Sequence, residues 1–455
     1  MAHRLSRWEA GSKCQHCVAE ASDDTSDTVI FPSHPIKGMA FFFTGPLTVK
    51  DYMKEVLINP VSGYYAAGQD MFGSHGDYIT SPEICQLFGE LIGVWVFSEW
   101  YKLGSPKPLQ LVELGPGRGT LMQDVLRVLN QFGVSGGDLI VQFVEVSEEL
   151  SQKQEEGLCG IVQPSRGGCS EEDLYFKKSK TISGSRVFWH RHLSTVPKTF
   201  SMFLAHEFFD VLPIHKIRRT KEGWREVLID IDEDDGPHHL RYVLSRTPTP
   251  ATKIYIQVKA HKFFLCKISF FNRNFFSSVV YCNGNLTWKN TRDEIEVCPD
   301  AAVYCGELAN RIEENGGIAL IMDYGHDNKT TSTFRAFKNH ALHDPLCEPG
   351  AADLTTDVDF SYLKEQVQER LVTYGPVTQS SFLTNMGIEL RLNNLLKQCK
   401  QEERKFLISG YKMLVEKEQM GERFKFLAFF PAVVKDFLIK YPPAVWSLLE
   451  EMLLV

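Results

Sequence analysis

LVELGPGRGT, residues 111–120, decides how the rest of the chain is read. A short apolar run, LQLVELG, ends in glycines at 115, 117 and 119, and the next segment, GTLMQDVLRVLNQFG, has apolar residues at helical spacing. A second apolar run, DLIVQFVEVS, follows, so strand, helix and strand fit within about 40 residues. SMFLAHEFFD and GGIALIMDYGH repeat the apolar run with a polar tip. Continuous apolar strands alternating with helices predict an α/β fold with a parallel sheet covered on both faces and ligands beyond the strands' C-terminal ends. Glu113, Glu145, Glu207 and Asp323 fall at those ends.

The glycines permit positive φ and a close approach of ligand to main chain. A P-loop would continue into Gly-Lys-Ser/Thr, whereas Gly119-Thr120-Leu121 has no lysine, which disfavours ATP and GTP. A dinucleotide fingerprint needs a glycine where Thr120 stands. Glu113 decides between the remaining ligands, because its carboxylate would repel a pyrophosphate and attract a cation. Two unit charges about 4 Å apart at an effective dielectric of about 20 attract by about 4 kcal/mol before desolvation. S-adenosyl-L-methionine fits: it carries a sulfonium, an ammonium and a ribose, and no phosphate. Glu145, after the second strand, is placed to accept the ribose hydroxyls. The bland alternative is a tight strand-to-helix turn with an incidental acid.

Composition bounds the remainder. With 455 residues and 43% apolar content the chain can bury a large core. A balance of 49 Lys+Arg against 57 Asp+Glu, net charge −8, gives no general reason to bind nucleic acid or anionic lipid. The 11 cysteines are scattered, unlike a disulfide scaffold, and imply a reducing compartment. Cys14 and Cys17 have Cys-x-x-Cys spacing without a second ligand pair, so no metal is expected. No apolar run approaches the roughly 20 residues that span a bilayer. The first 35 residues carry too many acids for a presequence and lack a secretory apolar core. Thr48 is expected to cap a short helix, and SPEICQLFGELIGVWVFSEWYKLG predicts one longer helix capped by Ser81, with Phe88, Trp95 and Trp100 in the core. An antiparallel hairpin is expected at Lys221-Glu222-Gly223, and His326, His340 and His343 read as loop or surface histidines.

The motifs LVELGPGRGTL, VEVS, LAHEFFDVLPIHK, EVCPDA, DYGH and DLTTDVDFSYL resemble the MidA-like family, most closely its mitochondrial protein arginine methyltransferases. The resemblance spans roughly residues 45–250 and 291–430. It implies a class I, seven-stranded, Rossmann-like methyltransferase with an inserted β module and added helices. It further implies symmetric dimethylation of an arginine on a mitochondrial complex I core subunit, in the matrix, during assembly of that complex. Residue by residue it assigns the cofactor to Glu113, Gly115, Gly117, Gly119 and Glu145, and the fourth-strand motif to Glu207, Phe208, Phe209 and Asp210. GDYITSPE, residues 76–83, is also family-like, and Thr80 and Ser81 would suit a segment closing over the cofactor.

Chemistry supports a catalytic Glu207. A guanidinium's lone pairs are delocalised until a carboxylate orients the group and helps take up the departing proton. Glu207 and Asp210 together could hold it through charge-assisted hydrogen bonds, with Phe208 and Phe209 excluding water. Alternatively Glu207 caps a helix, Asp210 meets the cofactor, and the phenylalanines are core. A rival of another class is a non-catalytic assembly module on a methyltransferase fold.

The expected organisation is a poorly matched, disordered segment over 1–44, a helical cap over 45–105, the cofactor-binding core over 106–212 and a β module over 213–250. Residues 251–290 form an atypical insert, 291–430 the rest of the methyltransferase domain with C-terminal helices, and 431–455 a tail. Between Thr252 and Asn290 there is no Asp or Glu, and FFLCKISFFNRNFFSSVVY is basic and aromatic. This insert reads as foreign to the fold, with a partner- or membrane-touching arm and a lineage-specific loop as alternatives.

Overall fold

A computed structural model describes residues 45–59, 61–66, 79–160, 174–232, 239–257, 293–327 and 332–446. Most of the basic aromatic insert, Cys14 and Cys17, Gly76–Tyr78 and the end of the tail lie outside the described residues.

The central sheet is ordered Leu371–Thr378, Phe424–Pro431, Gly317–His326, Ser201–His206, Leu109–Leu114, Leu139–Val144, Arg186–His190, Lys177–Lys180. The five strands from Gly317–His326 to Arg186–His190 are parallel. Phe424–Pro431 runs antiparallel to Gly317–His326, with Leu371–Thr378 antiparallel to it in turn. That is the seven-stranded order of class I methyltransferases, with Lys177–Lys180 as an added antiparallel edge. Every residue of Leu109–Leu114 and of Ser201–His206 is buried, as expected for strands covered on both faces. From Leu109–Leu114 the chain builds outward on one side, and from Ser201–His206 on the other. The two strands therefore flank the topological switch point, where a crevice opens beyond their C-terminal ends. The glycine turn and the Glu207 loop both leave the sheet there.

Helices Gln86–Lys102 and Thr120–Gln131 pack over one face, burying Phe88, Trp95 and Trp100 as expected. The single helix expected from Ser81 is broken. Thr80 is the N-cap, its N–H and hydroxyl each 3.3 Å from Glu83 Oε2, and the first helix ends at Ile84. Cys85 is extended, with φ −161° and ψ 135°, before the second helix begins. Thr48 caps helix Val49–Ile58 as expected, accepting from the Asp51 N–H at 3.0 Å.

The hairpin forms as expected, with Thr220 paired to Gly223 between strands His215–Thr220 and Gly223–Ile231. Its sheet also takes in Leu240–Leu244 and, from beyond residues 213–250, Leu47–Thr48 and Glu294–Val297. Helix Val49–Ile58 packs on this module through Val49, Tyr52, Met53 and Val56 against Ile214, Val227 and Ile229. Lys54, Leu57 and Ile58 of the same helix reach the crevice. Among the described residues no helix is long and apolar enough to cross a membrane.

Candidate cofactor and active site

The crevice is a cavity of about 560 Å³ bounded by the glycine turn, the Glu207 loop, helix Pro299–Asn315, the end of helix Val49–Ile58 and Tyr65. Gly115 turns the chain at φ +62°, and an added Cβ would stand 2.9 Å from Phe208 Cδ2, so the two loops pack tightly enough to require glycine. Gly117 lines the cavity, while Gly119 caps helix Thr120–Gln131 at φ +77° and packs on Gln154.

Glu113 lies one residue before the end of its strand, 2% exposed, and lines the cavity. Its Oε2 has no hydrogen-bond partner among the described residues. Burial holds its pKa well above the usual carboxylate range, with Glu145 pushing the same way. Glu145 also lines the cavity, accepting from Ser147 N–H at 2.8 Å and from Gln154 Nε2 at 3.0 Å. Burial raises it to about 7 against those two bonds. These atoms suit the expected cofactor: an unpartnered buried carboxylate oxygen, a glycine turn open to close approach, and a second buried carboxylate lining the same cavity.

A second group of acids surrounds the Glu207 loop. Glu207 sits at φ +48°, a conformation that non-glycine residues adopt only where their surroundings hold them. Asp323 supplies that hold: its Oδ2 accepts from Phe208 N–H at 3.2 Å and Phe209 N–H at 3.0 Å, its Oδ1 from Tyr324 N–H at 2.9 Å. Asp323 lies within the strand Gly317–His326 and not just after it. Glu207 Oε1 has no hydrogen-bond partner among the described residues and stands 3.4 Å from His206 Nε2. His206 is neutral, its pKa pushed down to about 3 by burial. Burial raises Glu207 well above the usual range, Asp210 adds to the rise, and a hydrogen bond from the Ser81 backbone opposes it.

Not every expected residue faces the cavity. Thr80, Glu207 and Phe208 do; Ser81 is buried, its hydroxyl 3.3 Å from Gln379 Oε1, and meets the site through its backbone. Phe209 is core. Asp210 lies behind the loop, its Oδ2 accepting from the Tyr324 hydroxyl and its main-chain oxygen from Thr356 N–H at 2.9 Å. Burial lifts it to about 6 against the Tyr324 bond. The Arg335 guanidinium lies 5.3 Å from the Tyr324 ring centre, and Arg335 and Arg423 both bind Asp357, at 2.6 and 2.7 Å. Sequence reasoning missed Tyr304, which lines the cavity edge-on to Phe208 at 4.9 Å, and Gln154.

Of the three histidines, His340 is exposed and His326 and His343 are half-buried. His343, Cys347 and Glu348 each offer one possible ligand atom within 4.8 Å of the others, with the Glu348 carboxylate engaged by Lys338 Nζ.

Residues 91–377 match a family model described as "Putative S-adenosyl-L-methionine-dependent methyltransferase". With the strand order and the glycine turn, this makes the molecule a class I methyltransferase whose cofactor is S-adenosyl-L-methionine. The chain is 46% identical over 406 residues to "Protein arginine methyltransferase NDUFAF7 homolog, mitochondrial" of Drosophila melanogaster, covering 88% of this chain and 85% of the relative. It is 46% identical over 391 residues to "Protein arginine methyltransferase NDUFAF7, mitochondrial" of Homo sapiens, covering 85% of this chain and 81% of the relative. The chain belongs to this MidA-like family of methyltransferases. A crystal structure of a "superfamily member and likely methyl transferase from Burkholderia thailandensis bound to S-adenosyl-homocysteine" shares the fold at TM-score 0.61 and 21% identity over 85% of this chain and 88% of that one.

Proposed function

We propose that the chain is a protein arginine methyltransferase that symmetrically dimethylates an arginine of a complex I core subunit in the mitochondrial matrix, promoting assembly of the complex. Kinship to relatives named as mitochondrial protein arginine methyltransferases supports the substrate class and the organelle. The observation that carries the chemistry is Glu207 Oε1, a buried carboxylate oxygen at the cavity without a partner among the described residues.

When bound, S-adenosyl-L-methionine supplies a methyl group on a positively charged sulfur. Glu113 stabilises positive charge beside the glycine turn, and Glu145 accepts the ribose hydroxyls. Glu207 accepts N–H bonds from the arginine, localises a nitrogen lone pair toward the methyl carbon and takes up the proton lost as the new bond forms. Phe208 and Tyr304 wall the guanidinium from water. Asp210 acts through the loop, setting the field behind Glu207 without touching substrate. Alignment of nitrogen with methyl carbon supplies most of the acceleration.

The test incubates recombinant complex I core subunits with isotopically labelled cofactor and the protein, then reads arginine-containing peptides by mass spectrometry, with fragmentation to separate symmetric from asymmetric dimethylarginine. Labelled symmetric dimethylarginine with the parent, and its loss in Glu207→Gln with cofactor affinity kept, is the expected result. Cofactor-loaded protein that labels no arginine would refute the reading, as would equal labelling by Glu207→Gln.

A further inference from the structure

Gln154 is fully buried in helix Glu148–Cys159, one turn below the site's rim. Its amide makes three bonds to three different parts of the fold. Trp189 Nε1 donates to its Oε1 at 2.8 Å; its Nε2 donates to the Gly117 main-chain oxygen at 2.7 Å and to Glu145 Oε2 at 3.0 Å. The orientation follows from chemistry, because an indole N–H only donates and so fixes which end is oxygen. The NH₂ then faces two acceptors, a carbonyl of the glycine turn and a carboxylate of the ribose-side acid. Its Cγ would lie 3.3 Å from a Cβ on Gly119, so the side chain also backs the turn.

We propose that Gln154 is the positioning residue that joins the two halves of the cofactor site, holding the glycine turn and the Glu145 carboxylate in register so that one ligand can span both. This rests on the S-adenosyl-L-methionine reading of the cavity and adds the element that sets its length. Leucine or methionine would fill the volume and leave three buried polar groups unpaired. Glutamate would keep the bond from Trp189 but turn a carboxylate on two acceptors, and only its protonated form restores one donor.

The charged and titratable groups around this helix face are Glu145 and Glu113 at the strand ends, with the Glu155–Lys177 pair at 2.9 Å on the neighbouring face. The parent's affinity for S-adenosylhomocysteine should rise from pH 6 to pH 8 as Glu145 ionises, and in Gln154→Glu it should fall over the same range. Calorimetry with S-adenosylhomocysteine on the full chain reads this directly, with thermal unfolding as control. The expected result is a loss of about 10-fold or more in Gln154→Leu at both pH values, and the opposite pH slope in Gln154→Glu. Affinities within twofold of the parent for both variants, or a slope in Gln154→Glu parallel to the parent's, would overturn the proposal. Should Gln154→Leu fail to fold, the slope of Gln154→Glu decides alone. A folded parent that binds no S-adenosylhomocysteine would instead sink the cofactor reading, and this proposal with it.

Discussion

Replacing Glu113 by glutamine should move stability and cofactor affinity in opposite directions. The carboxyl is buried with Oε2 unpartnered among the described residues, and burial holds its pKa well above the usual range. As pH rises past about 4.3 the unfolded chain ionises first. The folded protein keeps the proton longer, so this group costs stability as pH climbs. Glutamine does not ionise, so Glu113→Gln should unfold at an equal or higher urea midpoint at neutral pH. Binding responds the other way. Two unit charges about 4 Å apart attract by about 4 kcal/mol at an effective dielectric of about 20, before desolvation. Hydrogen bonds to charged groups net about 1.5–3 kcal/mol. The variant should therefore bind S-adenosyl-L-methionine about 10- to 150-fold more weakly. S-adenosylhomocysteine lacks the sulfonium charge and should lose less. Calorimetry with both ligands and urea unfolding of the apo protein supply the numbers. Affinity within threefold of the parent, or affinity and stability falling together, would refute the electrostatic reasoning.

Glu145, raised to about 7, should make S-adenosylhomocysteine binding stronger as pH climbs from 6 to 8, with proton release near pH 6.5 seen as heat that varies with buffer. Asp323→Asn sets an NH₂ against main-chain N–H donors that the carboxylate now accepts. Stability should drop by about 1–3 kcal/mol in urea unfolding, and turnover should fall more than cofactor affinity. Tyr324→Phe strips the hydroxyl from a buried carboxylate, so Asp210 should titrate above its present value of about 6. The acidic limb of the rate profile should move with it, with cofactor affinity unchanged.

How far a sequence reveals this site depends on whether each interaction is local. Glu113, Glu145 and Glu207 were legible because strand ends can be read from apolar runs, and a parallel sheet brings strand ends together. Asp210 was harder: three residues past Glu207 it faces Tyr324, and only the course of the loop decides that. The break at Cys85 has no proline or glycine to signal it, and the pairing of Leu47–Thr48 with Ile229 and Leu228 spans too much chain for local pattern to expose. Gln154 left a faint trace. EELSQKQEEGLC reads as a solvated helix, yet Leu150, Gln154 and Leu158 recur every four residues on one buried face, placing an amide where an apolar side chain is the norm. A polar residue in an apolar stripe is a signal for a buried hydrogen-bonded group, and it identifies no partner.

The buried acids divide into two groups that feel their own members most. Besides burial, Glu113 is shifted by Glu145, whereas Glu207 is shifted first by Asp210, and Asp323 by Asp210 and Glu207. Glu113, Glu145 and Glu207 line the same cavity, and each group contains a carboxylate oxygen that the described protein leaves unsatisfied. Burial raises the pKa of Glu113, Glu145 and Glu207, which lowers the mutual repulsion these carboxyls would otherwise bring to one cavity. On the proposed function, cofactor charge meets Glu113 and substrate charge meets Glu207, a carboxylate raised in basicity by burial and by Asp210. The same burial that makes these acids costly to the fold raises the basicity of Glu207, the property that the proposed uptake of the arginine proton requires.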